Sequence, residues 1–169
     1  MGKLSSHLKT ERCPFVSAVI VAGGSGTRFG GDKMMAQLAG IPVLVHTLRA
    51  FQNSPMIQEI VLVTREEILS DAAMLCNEHG ISKVSLVVAG GETRVRSCHA
   101  GVMSVSERAG IIAIHDGARP LVTERIIEDA VWTAYRHLAA VPSVPVRDTI
   151  KKAEKGVVCL LYTSPSPRD

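Results

Sequence analysis

The chain has 169 residues, 46% hydrophobic and 4% aromatic, with a formal net charge of +3. That length suits one domain with a sizeable core. No basic run interleaved with aromatics suggests a nucleic-acid track, and no stretch approaches the roughly 20 apolar residues of a membrane span.

Residues 1–14 read as a polar, flexible leader without the apolar core of a signal peptide. Val16–Val21 follows as a short, β-branched strand buried on both faces. It runs into Ala22-Gly23-Gly24-Ser25-Gly26-Thr27-Arg28-Phe29-Gly30-Gly31-Asp32-Lys33, a loop with five glycines that ends between two cations, Arg28 and Lys33. Glycines let successive backbone N–H groups point at one anion and leave room for its close approach. A strand feeding such a loop is the usual polyphosphate holder of an α/β protein. The dinucleotide fingerprint fails here, because Phe29 stands where its third glycine belongs. The Walker pattern fails too: Asp32 intervenes before Lys33, and Met34 replaces the hydroxyl residue. Met34 and Met35 are expected to pack beneath the loop.

Beyond the loop, apolar runs alternate with helical patterns. Helices are predicted near Pro42–Phe51, Glu66–His79, Arg94–Ser106 and Glu124–Leu138, and strands at Ile57–Val63, Val84–Ala89 and Ile111–His115. The three later strands, like the first, read as buried on both faces. Thr64 with Glu67 fits a capping box for the second helix, and Gly80 is placed to end it. The last helix carries a 3.6-period stripe of Ile126, Ile127, Ala130, Val131, Ala134 and Tyr135, expected to be buried. The alternation argues for a three-layer α/β/α fold with a mostly parallel, Rossmann-like sheet. The cysteines, Cys13, Cys76, Cys98 and Cys159, have no zinc-like spacing and read as the reduced thiols of a cytoplasmic protein.

Three further segments fall at the C-terminal ends of strands, where open α/β sheets bind ligands. In Gly90-Gly91-Glu92-Thr93-Arg94, backbone groups could read the edge of a base with help from Ser97, or the segment could be a plain turn with Thr93 as cap. In His115-Asp116-Gly117-Ala118-Arg119-Pro120, the Asp116 carboxylate faces the loop as a natural Mg²⁺ ligand. Gly117 permits an unusual backbone angle, and Arg119 offers a fork for a phosphate. His115 reads as a satisfied structural histidine, and the remaining histidines as structural or solvated. In Pro145-Val146-Arg147-Asp148-Thr149 the residues alone leave open a site or a surface salt bridge and turn, the commoner fate of such residues.

Taken in order, A-G-G-S-G-T-R-F-G-G-D-K, G-G-E-T-R-V-R-S, H-D-G-A-R-P and P-V-R-D-T resemble the signature segments of the 2-C-methyl-D-erythritol 4-phosphate cytidylyltransferase family, over about Val16 to Lys152. The resemblance implies a nucleotidyltransferase that moves CMP from CTP to methylerythritol phosphate with release of pyrophosphate. It implies Arg28 and Lys33 as transition-state stabilisers. It implies a nucleotide site of Ala22, Gly23, Gly24, Ser25, Gly26, Gly91, Glu92, Arg94, Ser97, Asp116 and Gly117, with Mg²⁺ on Asp116. Arg119 and Thr149 fall on the polyol-phosphate side. It further implies a homodimer built through an arm starting near residue 142. Lys33-Met34-Met35 departs from the family's usual glutamine and aromatic after the lysine. Ribitol-phosphate cytidylyltransferases and a non-catalytic nucleotide-binding fragment are the competing readings. The domain is expected to span residues 15–158 and to be incomplete at its C-terminus. Residues 159–169, ending Ser164-Pro165-Ser166-Pro167-Arg168-Asp169, read as a non-native tail. A shortened chain is expected to bind CTP poorly, dimerise badly and catalyse nothing.

Overall fold

The computed structural model of the chain describes residues 13–24, 33–145, 150–155 and 157–162, with 150–154 and 157–162 described as backbone. β1 (Val16–Val21) is buried along its whole length. Two short strands, β2 (Gln37–Leu38) and β3 (Ile41–Pro42), form an antiparallel pair that leads into α1 (Val43–Asn53). Next come β4 (Glu59–Thr64), a single 3₁₀ turn at Glu66–Ile68 and α2 (Leu69–Glu78). β5 (Val84–Ala89), α3 (Arg94–Val102), β6 (Ile111–Asp116) and α4 (Glu124–His137) complete the alternation. A hairpin of β7 (Ile150–Glu154) and β8 (Val157–Tyr162) follows, antiparallel, and so takes in Cys159–Tyr162.

The main sheet has the order β5-β4-β1-β6, and every pairing in it is parallel. β1 and β4 supply its centre. Residues on one face of these strands, including Ala18, Ile20, Ile60 and Leu62, join Leu48 and Phe51 of α1, Ala72 and Cys76 of α2, and Ile127 and Val131 of α4. The alternate residues Val19, Val21, Val61 and Val63 pack with Cys98 of α3. Helices therefore cover both faces, as the alternation of elements predicts. α3 sits so close to the sheet that a β-carbon on Gly101 would clash with Val19 and come 2.8 Å from Cγ2 of Val63.

Several sequence expectations change. The second helix does not begin at a Thr64–Glu67 capping box. Thr64 is the last rung of β4, its buried hydroxyl has no hydrogen-bond partner, and α2 starts five residues later without a side-chain cap. Gly80 does end α2, at φ +65°. Of the four strands of the main sheet, only β1 and β4 are buried throughout. β5 and β6 form the edges of this sheet, so Leu86, Ile112 and Ile114 keep one face partly open. The α4 stripe is narrower than its periodicity suggests: Ile127 and Val131 are buried, whereas Ile126 and Tyr135 are exposed. The helix lies across the sheet edge, so the flanks of its apolar face extend past the strands.

At the N-terminal end of the sheet, the Glu59 carboxylate is buried between β1 and β5. Ser17 Oγ donates to one of its oxygens and Ser85 Oγ to the other, the latter at 2.9 Å, while the Ser106 N–H donates at 3.0 Å. Burial alone would push this carboxyl up. The hydrogen bonds from Ser17, Ser106 and Ser85, with the charge of Arg108, outweigh it and hold the group below the usual glutamate range.

Candidate active site

The opposite end of the sheet is where the loops converge. β1 pairs with β4 on one side and β6 on the other, and the chain leaves β1 towards β4 and returns to β6 only after β5. The switch point thus lies between β1 and β6, where ligands bind in open α/β sheets. Each connecting segment starts stitched to its neighbouring strand: Ala22 N–H donates to Val63 O at 2.7 Å, Gly90 N–H to Thr64 O at 2.7 Å, and Gly117 N–H to Val21 O at 2.8 Å. These bonds extend the sheet by one residue on each strand and set all three loops off from one rim.

Between the loops lies a cleft of about 740 Å³. Gly23 and Gly24 form its floor on the β1 side, with Lys33 returning from the far end of the glycine loop. Gly91, Glu92, Arg94 and Ser97 form the opposite wall, and Asp116 and Arg119 close the β6 side. Among the described residues, four cations (Lys33, Arg65, Arg94 and Arg119) and two carboxylates line this space. The excess of positive charge beside glycine backbone suits a polyanion with a polar head group.

The wall at α3 is built from small parts. Thr93 caps the helix, its hydroxyl accepting from Arg96 N–H at 3.2 Å. Ser97 is buried, and its Oγ both donates to Gly91 O and accepts from Gly91 N–H, each at 3.2 Å. A β-carbon on Gly90 would lie 2.6 Å from that hydroxyl, so only glycine fits there without displacing Ser97. The turn is therefore a rigid backbone edge, suited to reading the hydrogen-bonding edge of a ligand. Of the two sequence readings of the segment, the Thr93 cap is present.

On the β6 side, both Asp116 oxygens carry an arginine. Arg94 Nε donates to Oδ1 at 2.9 Å, and Arg119 Nε lies 3.0 Å from Oδ2. Asp116 remains about a quarter exposed and faces the cleft. The preceding residue points to the other side of the strand, as alternation requires. His115 packs on Phe51, with ring centroids 5.0 Å apart, and its buried Nδ1 has no hydrogen-bond partner. Burial pushes the imidazole below its usual pKa. It is structural, but not the fully satisfied histidine that the sequence suggests.

Of the residues picked out by sequence, Gly23, Gly24, Lys33, Gly91, Glu92, Arg94, Ser97, Asp116 and Arg119 line one cleft. Ala22 and Gly117 stand behind it. Ala22 is buried in the core, and Gly117 O accepts from Thr47 Oγ1 at 2.7 Å, so both shape the rim from beneath. Ser25, Gly26, Arg28 and Thr149 lie outside the described residues. Met34 packs into the core, and its carbonyl accepts from Leu44 N–H at 3.0 Å, which ties the end of the glycine loop to α1. Sequence reasoning missed Arg65, which lines the cleft just after β4. The rule that singled out the ends of β5 and β6 applies equally to that strand.

Comparison with known proteins supplies the family. The family model for IspD, 2-C-methyl-D-erythritol 4-phosphate cytidylyltransferase, matches residues 16–163. The chain is 43% identical over 140 residues to a protein of that name from Halalkalibacterium halodurans, covering 82% of this chain and 61% of the relative. It is 44% identical over 138 residues to one from Dehalococcoides mccartyi, covering 81% and 60%. The chain thus spans about three-fifths of the length of the curated relatives it matches. The crystal structure of 4-diphosphocytidyl-2C-methyl-D-erythritol synthase from Anaerococcus prevotii shares the fold, with a TM-score of 0.78 at 23% identity over 90% of this chain and 66% of that one. The two described ends of the glycine loop, the turn before α3 and the carboxylate at the tip of β6 share one cleft, and the chain belongs to the 2-C-methyl-D-erythritol 4-phosphate cytidylyltransferase family.

Proposed function

We propose that the protein transfers CMP from CTP to 2-C-methyl-D-erythritol 4-phosphate, releasing pyrophosphate, in cytoplasmic isoprenoid precursor synthesis by the non-mevalonate route. One observation carries this reading: Lys33, the glycine backbone of residues 23 and 24, the Ser97-braced turn and Asp116 share one cationic cleft at the switch point of the sheet. In the reaction a phosphate oxygen of the polyol phosphate attacks the α-phosphorus of CTP. The bond from that phosphorus to the bridging oxygen breaks, and pyrophosphate leaves with the electron pair. Both reactants are anions, so the protein's task is to hold them in line and offset charge.

Lys33 supplies a positive charge at the triphosphate end of the cleft, and the sequence assigns Arg28 the same task. The turn held by Ser97 and Gly91 offers backbone groups to the base. Arg119 supports the second phosphate, a role that Thr149 shares by family resemblance. The donor set at Asp116 fits Mg²⁺, because this ion typically takes one or two carboxylates and completes its shell with phosphates and water. When bound there with the triphosphate, Mg²⁺ would supply further neutralisation of phosphate charge. Family resemblance also supports a homodimer.

Single-turnover assays with labelled CTP test this reading. Pyrophosphate release that requires methylerythritol phosphate, and that ribitol phosphate does not support, is the expected result. Release independent of the polyol, or none at saturating enzyme, would refute it.

A further inference from the structure

The Asp116 carboxylate is held from two sides by groups of different character. Arg119 lies three residues further on in the same turn, and its own N–H donates to Asp116 O at 3.1 Å, so this partner is local. Arg94 comes from the first turn of α3, 22 residues away in sequence. Its Nε and Nη2 both sit 2.9 Å from Oδ1, and its side chain is 61% exposed as it reaches across the mouth of the cleft.

Two cations against one carboxylate leave this corner net positive. A bare divalent cation approaching Asp116 meets repulsion and oxygens already engaged by guanidinium groups. A triphosphate changes both conditions. It brings negative charge into the cleft and offers oxygens that an arginine fork accepts as readily as a carboxylate. Exposed ion pairs of this kind are weak and exchange partners easily.

We propose that Arg94 is a latch on Asp116: it keeps free divalent cations out of the nucleotide-free cleft and releases the carboxylate when a triphosphate draws its guanidinium away. The inference rests on the reading of Asp116 as the metal-holding carboxylate. It adds an order to loading, in which the metal enters with or after the nucleotide.

Binding of Mn²⁺ to the nucleotide-free 169-residue chain, followed by electron paramagnetic resonance, tests the latch directly. Arg94→Gln is expected to bind Mn²⁺ about tenfold more tightly than the unmodified chain, since one nearby positive charge is gone. Adding Asp116→Asn to that variant should abolish the gain. Arg94→Lys, which keeps the charge, should stay within about twofold of the unmodified chain. Arg96→Gln should leave binding unchanged, because Arg96 pairs with Glu92 instead. Equal affinity for Arg94→Gln and the unmodified chain would overturn the latch, as would a gain that survives Asp116→Asn. No nucleotide is present in these arms. A chain that passes them yet shows no polyol-dependent pyrophosphate release would refute the proposed reaction and leave the latch standing.

Discussion

Ser97 and Gly91 hold each other by a reciprocal pair of hydrogen bonds, so one buried hydroxyl fixes both polar groups of a turn residue at the cleft wall. Ser97→Ala removes both bonds and leaves the Gly91 N–H and carbonyl to find water. A loss of about 1–2 kcal/mol in unfolding free energy is expected, measured by urea titration. Calorimetry should show weaker CTP binding with the enthalpy less favourable. Unchanged CTP affinity would remove the turn from the nucleotide site.

Gly101→Ala tests the packing of α3. The added methyl would clash with Val19 and press on Val63, both fully buried strand residues that cannot move aside. The helix must lift from the sheet, at a cost of about 1–3 kcal/mol. Because α3 carries Arg94 and Ser97, the same variant should also bind CTP less tightly. A melting temperature equal to that of the unmodified chain would contradict this packing.

Glu59 predicts a pH dependence of stability. Its carboxyl titrates lower in the folded chain than in the unfolded one. The unfolded chain therefore binds the proton more readily, and the stabilisation is present in full above the ordinary glutamate range, about pH 5 and higher. It is lost as pH falls through the depressed folded value. Glu59→Gln should therefore lower the melting temperature at pH 7, and the difference should shrink steadily below about pH 4. A difference that stays constant from pH 7 to pH 3 would show that the charge plays no part.

Lys33 stands at the end of the glycine loop and on the wall of the cleft. Lys33→Ala should lower the rate of pyrophosphate release by about a hundredfold or more, the typical effect of removing a group that meets transition-state charge. Stability should change little, because the side chain is exposed. A variant with normal single-turnover rate would require another cation to carry this role.

The strand-loop-helix logic of the chain was legible because burial and backbone chemistry leave strong marks in sequence. The run Val16–Val21 read as a buried strand, and the glycines that follow it marked the rim where Gly23, Gly24 and Lys33 line the cleft. Tertiary placement left weaker marks. Whether Ile112 and Ile114 are covered depends on how far α3 reaches, and nothing in their own segment records that. Ile126 and Tyr135 follow the helical period of Ile127 and Val131, yet α4 meets the sheet at its edge and leaves them outside. Thr64 illustrates a competition between local and long-range bonds. Its spacing to Glu67 fits a cap, but the sheet claims Thr64 first, and its carbonyl accepts from Gly90. Arg65 escaped notice because it stands alone, without a glycine beside it to mark the strand's end.

The pairing of Val21 with Asp116, the last rung between β1 and β6, has a consequence for how such a chain can vary. Asp116 is aimed by counting: it shares a side of β6 with Ile112 and Ile114, and His115 occupies the other. A single inserted or deleted residue anywhere in that strand would swing the acid to the side packed on α1 and turn the imidazole towards the cleft. Residue identities within β6 can drift among apolar types, whereas its length parity is fixed by the chemistry at its tip.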